Sequence, residues 1–492
     1  MKRLLAFALV LVAACKDRPA SPTVGADAPK VAAADAQPTP PPAPVFADIE
    51  AFDDTYGIYF QGQKVGWMRS TFTQDGVLST ELYAKVGGMG QVSEVRFDEK
   101  RAYGVDRQLA RISFSQSAAT GAVQVVGERQ GEKLKVTTTA GGKSSSEEIV
   151  AAETIDDALE LQKLAKAQKV GATATSKRYD PSIQKIVTAN HVTSGIEKKA
   201  FGGVETEVVK IDTTYPDLGI AESAWVDAKG KTLESRIGGF FVARLEPPEE
   251  AKRLDYSQDL LVSAVVAVPK PIEKQAELKK LTVRFSGFAG VAPPPQSKRQ
   301  AQTWSGEDLV LSLTKEAPPK QPWAADKPLP AESPADLAAT AFVQSTDPEI
   351  IAAAKAAVGD ASDVYTATTR LAQFVYSYVE DEYVPAYSNA LEALKSRRGD
   401  CTEHSVLFVA LARALGIPAR VAVGIAYWQP GHGFGWHAWA EVFAGGAWYS
   451  VDPTWNQPIA DVTHVKLADG GPAEQARIVM LLGRLRVLDV RT

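Results

Sequence analysis

Six prolines fall within residues 315–334, and no other feature restricts the fold of this chain as much. Proline fixes φ and lacks a backbone N–H, so this stretch should not join a sheet. It separates two kinds of patterning. Before it, short runs alternate apolar and polar residues with the two-residue period of a strand. After it, apolar residues recur at the helical spacing. A chain of 492 residues is also too long for one ordinary domain. Residues 46–314 are therefore expected to form β-rich domain structure, residues 315–334 a linker, and residues 335–492 a separate unit that begins with helices. With 45% hydrophobic and 23% charged residues the composition is globular. A net charge of -5 lacks the basic excess of a nucleic-acid binder, so no nucleic-acid partner is expected.

The first 45 residues read as export machinery. Met1-Lys2-Arg3 is a positive n-region, and residues 4–14 form an apolar run of signal-peptide length, too short to span comfortably. Nowhere does the chain carry about 18 apolar residues in succession, so no spanning helix is expected. Leu11-Val12-Ala13-Ala14-Cys15 resembles a bacterial lipobox, whose cysteine becomes the lipidated N-terminus of the mature protein. Residues 16–45, rich in Ala, Pro, Asp and Thr, cannot bury a core and read as a disordered tether. Lys16 stands where an aspartate would resemble an inner-membrane retention signal. The expected location is the bacterial cell envelope, with a lipid anchor at Cys15 in the outer membrane and the folded part facing the periplasm.

Residues 46–314 carry strand signals broken by Gly or Asn/Asp, such as Tyr56-Gly57-Ile58-Tyr59-Phe60 before Gly62 and Lys133-Leu134-Lys135-Val136-Thr137. Antiparallel sheets that wrap or sandwich are expected, interrupted by one helix near 156–166. His191 is expected to be a surface strand residue and not a ligand.

The chemistry concentrates after residue 335. Asp347 and Pro348 mark a helix start, 364–379 continues at helical spacing, and 388–395 is a further helical piece. Gly399-Asp400 then precedes Cys401, and an almost uninterrupted apolar helix runs to Gly416 and Pro418. With Asp400 or a neighbour as N-cap, Cys401 falls in the first turn, where the helix dipole and open N–H groups favour a thiolate and offer an oxyanion site. Strands are expected over 419–428, 436–443 and 447–451, the last two joined at Ala444-Gly445-Gly446. If Ala444-Gly445 is the loop, His437 sits opposite Asp452. If Gly445-Gly446 is the loop, Asp452 faces Trp439 and lies diagonal to His437 on the same face. A three-residue loop without a bulge would separate them. A thiol, an imidazole and a carboxylate are the groups of nucleophilic acyl transfer: Cys401 attacks, His437 moves the proton, and Asp452 orients the ring. The chain has only two cysteines. If Cys15 is acylated no internal disulfide is possible, and an exported protein usually avoids a lone thiol it does not use.

The stretch 385–467, and more loosely 335–384, resembles the transglutaminase core superfamily, related in architecture to papain-like thiol enzymes. The resemblance lies in Gly399-Asp400-Cys401-Thr402-Glu403-His404, Arg413-Ala414-Leu415-Gly416-Ile417-Pro418, His437-Ala438-Trp439-Ala440-Glu441 and Val451-Asp452-Pro453-Thr454-Trp455. Thr463-His464-Val465 resembles the tail of bacterial members. The resemblance implies an α+β papain/transglutaminase-like catalytic domain with Cys401, His437 and Asp452 as the triad. For the family's upstream oxyanion donor, Tyr383 and Tyr387 are the candidates. Glu403 and His404 are expected to cap or brace the helix start. His432, His437 and His464 lack metal-ligand spacing, so neither a metal nor another cofactor is expected. Trp436, Trp439, Trp448 and Trp455 are expected mostly in the core.

The expected function is that of an exported thiol enzyme working through a thioester on Cys401, either hydrolysing a peptide or amide or transferring the acyl group to an amine. A protein or peptide is the expected substrate, and the membrane is met through the lipid anchor. The alternative is a non-catalytic envelope scaffold or binding protein that retains the same core.

Overall fold

The computed structural model describes residues 46–492 apart from 89–90, 119–120, 141, 151–152, 239–240, 255–264, 325–326 and 383–388. The expected signal peptide, Cys15 and the tether therefore lie outside the described residues, as do Tyr383 and Tyr387.

Fourteen antiparallel strands form one sheet in the N-terminal part. Eight of them, from Phe52–Phe60 to Lys143–Val150, follow one another as a meander. Six more, from Thr173–Asp180 to Phe241–Leu245, form a second. The two become a single sheet because Phe52–Phe60 pairs with Phe241–Leu245. Side chains alternate between buried and exposed along Lys133–Ala140, as a pleated strand with one wet face requires. The sheet curls: Arg101, on the fourth strand, bonds the Tyr179 carbonyl of the ninth at 2.7 Å and pairs with Glu99 and Glu153. The helix expected near 156–166 is present as Ile155–Ala158 and Glu160–Ala167.

His191 corrects the sequence reading. It is buried, with its ring between Ser176 at 3.0 Å and Thr213 at 2.8 Å. Its parity is that of Val187 and Ala189, which face the core, and this sets its side.

A second sheet has the order Gln300–Ser305, Asp308–Thr314, Lys280–Ser286, Arg486–Arg491. It thus joins strands from both sides of the Pro-rich segment. The described part of that segment packs on the helices, with Trp323 and Leu329 buried and Pro322 in an isolated bridge to Asp363.

The remaining elements build the candidate site. Helices α1 (Pro348–Val358), α2 (Val364–Tyr378) and α3 (Ala390–Ser396) surround α4 (Cys401–Ala414). Asp347, Asp363 and Asn389 cap the first three, each accepting a backbone N–H. Every residue from Cys401 to Ala412 is buried, as expected of a helix apolar on nearly all sides. Against α4 packs a sheet of β1 (Val266–Ala267), β2 (Ala419–Trp428), β3 (Gly433–Ala444), β4 (Ala447–Val451) and β5 (Val465–Asp469). β3 is the strand most in contact with the helix. No helix among the described residues is long and apolar enough to cross a membrane.

Candidate active site

Cys401 opens α4. Asp400 is the N-cap: its carboxylate accepts the Thr402 N–H at 2.8 Å, and Glu403 reaches back to accept the Asp400 N–H at 2.9 Å. Gly399 leaves room for this box, because a Cβ there would stand 2.2 Å from the Glu403 Cβ. Burial, then the charge of Asp400, pushes the Glu403 carboxyl well above its ordinary range. His404 Nδ1 lies 2.7 Å from the Asp400 carbonyl. Burial pushes the His404 ring down, toward the neutral form, so Nδ1 donates that bond. Glu403 and His404 therefore brace the helix start, as expected from the sequence.

His437 lies on β3 and Asp452 just beyond β4. The hairpin pairs Ala444 with Ala447 and Ala440 with Val451, so the loop is Gly445-Gly446. Both glycines have positive φ, 61° and 74°, as a two-residue primed turn demands. This is the second of the two registers read from the sequence. The diagonal pair closes at 2.8 Å between His437 Nε2 and Asp452 Oδ2. A carboxylate at that distance requires the proton on Nε2 and leaves the Nδ1 lone pair of the neutral ring unprotonated. Nδ1 is buried and has no hydrogen-bond partner among the described residues. The ring stacks on Trp455 at 4.4 Å and 13°, which closes one of its faces to water.

Asp452 is wholly buried and fully subscribed. Its Oδ1 accepts the N–H groups of Thr454 at 2.8 Å and Trp455 at 3.2 Å. Its Oδ2 accepts His437 and also His464 Nε2, at 3.0 Å. Burial alone would raise this carboxyl, but the two imidazoles hold it far below the usual range. On the other side of His464, Asp461 Oδ1 stands 3.4 Å from Nδ1. Asp461 accepts the Thr463 N–H and Oγ1–H at 2.8 and 2.6 Å and the Gln457 amide at 3.0 Å. Burial opposes a charge on His464, yet the bonds to Asp452 and Asp461 lift it to about 9.

Sequence reasoning did not find the role of Asp461, and it met His464 as part of a family-like tail and as a metal ligand it set aside, not as a partner of Asp452. The available signal was local: two ionisable residues in the short polar run Asp461-Val462-Thr463-His464, between Ala460 and Val465, which are both buried. His432 is exposed and stands apart from the cluster. The donor atoms of His437, Asp452 and His464 lie within 4.8 Å of one another, a spacing compatible with a metal ion. Their directions fit hydrogen bonding better, since both Nε2 atoms point at one carboxylate oxygen and not at a common centre. Trp436 and Trp439 are core residues, while Trp448 donates from the surface to Glu332.

Cys401 thus opens the helix that packs against the strand bearing the carboxylate-held His437, a placement compatible with a thiol-enzyme superfamily. The comparison with known families agrees: residues 351–453 match the transglutaminase-like superfamily, and this part of the chain is a transglutaminase-like domain. No curated protein matches the chain. Among solved structures, it is similar to a candidate cysteine protease from Cytophaga hutchinsonii, at 18% identity and a TM-score of 0.30, over 44% of this chain and 84% of that one. It is also similar to a β-barrel-like protein from Brucella abortus with a domain of unknown function. That likeness has 12% identity and a TM-score of 0.32, over 40% of this chain and 94% of that one.

Proposed function

We propose that the chain is an exported thiol enzyme performing acyl transfer with Cys401, His437 and Asp452. The observation that carries this reading is the state of His437: Nε2 is tied to Asp452, and Nδ1 is buried without a described partner on the strand that α4 packs against. In the reaction, the Cys401 sulfur attacks the carbonyl carbon of an amide while its proton passes to Nδ1. The tetrahedral intermediate collapses, the C–N bond breaks, and His437 gives the proton to the leaving amine. A thioester remains. Water or a second amine then attacks it, His437 takes the proton of that nucleophile, and the thiol is restored. Asp452 stabilises the charged ring throughout without being protonated. Backbone N–H groups at the α4 N-terminus supply oxyanion donors. The fold around these residues is of the papain/transglutaminase α+β type. The substrate is a protein or peptide, with peptide and amide hydrolysis favoured over amine transfer, and the lipobox-like Cys15 anchors the enzyme in the envelope.

Cys401, His437 and Asp452 are each no more than 1% exposed, which favours a second reading: a scaffold whose core is closed and inert. Two measurements separate the two. Iodoacetamide labelling of Cys401, read by peptide mass spectrometry, is expected to be fast near neutral pH. Labelled peptide amides with and without a primary amine should then release ammonia or incorporate the amine, and Cys401→Ala should abolish both. Turnover that survives Cys401→Ala would sink the enzymatic reading, and slow labelling would favour the scaffold.

A further inference from the structure

Resting on the thiol-enzyme reading above, we propose that His464 and Asp461 form a second imidazole–carboxylate pair that positions and tunes Asp452. His464 touches no reacting atom in this scheme and acts only through the carboxylate.

The argument begins with the four bonds on Asp452. Two backbone N–H groups hold Oδ1 and two ring nitrogens hold Oδ2, so the carboxylate cannot rotate without breaking at least one charge-assisted bond. His464 is held as firmly. Its ring meets His437 at 5.5 Å, Trp439 at 5.2 Å and Trp455 at 5.3 Å, all edge to face, and it is wholly buried. A ring with a carboxylate at each nitrogen is an imidazolium, with both nitrogens donating. Its positive charge lies beside His437 and shares the negative charge of Asp452. His464 therefore aims the carboxylate while weakening its hold on a proton at His437. Asp461 offsets that weakening by neutralising His464 from the far side.

The two partners should consequently have opposite electrostatic effects. In His464→Gln the amide still donates to Asp452 but the cation is gone. Asp452 then supports the protonated His437 ring more strongly, while the Cys401 thiolate loses a nearby positive charge. In Asp461→Asn the cation loses its second counter-charge, so the hold on the His437 proton falls and the thiolate gains a more positive surrounding. The test is the pH dependence of iodoacetamide labelling at Cys401 in the full chain. The acid limb is expected to move to higher pH in His464→Gln, which loses a cation, and to lower pH in Asp461→Asn, which loses an anion. At a fixed pH on that limb each shift is roughly tenfold in rate, in opposite senses. General damage to the site would move both variants the same way.

A measurement on the unmodified protein guards against variants that fail to fold. Histidine ¹⁵N NMR at neutral pH should find both ring nitrogens of His464 protonated, and one bare nitrogen overturns the proposal. Fast labelling of the unmodified chain, with limbs that stay put or shift together, defeats the positioning role alone. Slow labelling of the unmodified chain defeats the thiol-enzyme reading and this inference with it.

Discussion

Two histidines and two aspartates share one buried cluster, and the ionisation of His464, Asp452 and Asp461 links stability to pH in both directions. His464 is raised in the folded state from its ordinary 6.5 to about 9. Its contribution is therefore present in full below about 6.5 and is lost as pH rises through about 9. Asp452 and Asp461 are lowered by their imidazole partners against the opposing effect of burial. What they contribute is present above the ordinary 3.8 and is lost as pH falls through their lower folded values. Urea midpoints should drop between neutral and strongly alkaline pH in the native chain, and His464→Gln should flatten that drop. An unchanged alkaline drop in the variant would show that another group carries it. Cys401, His437 and Asp452 were legible because each sits in a recognisable local string. His464 and Asp461 were not, because what gives them a role is a meeting with Asp452 that only the folded chain creates.

The β3–β4 hairpin does for the site what no single residue can. Its side chains reach the same face only because the turn has two residues, and Gly445 and Gly446 supply the positive φ angles that such a turn needs. Inserting one glycine between them shifts the register by one or forces a bulge, and a slip of one turns Asp452 to the opposite face. Turnover should fall on the order of a thousandfold while the far-ultraviolet circular dichroism stays close to native. Retained activity would mean that Asp452 reaches His437 by some other route. This element was half legible. The alternation and the glycines predict the hairpin and limit it to two productive registers, but nothing in the string distinguishes Ala444-Gly445 from Gly445-Gly446. Helix α4 was more fully legible, because Asp400 and Gly416 mark its ends and its apolar run marks its burial.

Across the whole molecule, the sheet that includes residues 280–314 buttresses the loop carrying Asp461 and His464. Arg299 donates to the carbonyls of Ala460 and Asp461 and pairs with Glu316, which in turn accepts the Ser450 N–H. The Gln300 amide pairs with both the N–H and the carbonyl of Lys466, taking the place of a neighbouring strand. Arg299→Ala leaves buried acceptors and a half-buried carboxyl without their cation. It should cost about 3 kcal/mol or more, read as a lower Tm. A normal Tm with normal turnover would make the buttress dispensable. These contacts were invisible in the sequence, as were the pairing of Phe52–Phe60 with Phe241–Leu245 and that of Lys280–Ser286 with Arg486–Arg491. Local patterning predicts strands, but partners far apart in the chain leave no local mark. The first of these pairings also sets a timetable. As the polypeptide is made, Phe52–Phe60 can join its hairpin neighbour at once, yet its other edge must wait until nearly two hundred further residues have emerged. Through that interval the nascent protein presents a half-satisfied, aggregation-prone border, and whatever escorts it must shield that border until the late strand arrives.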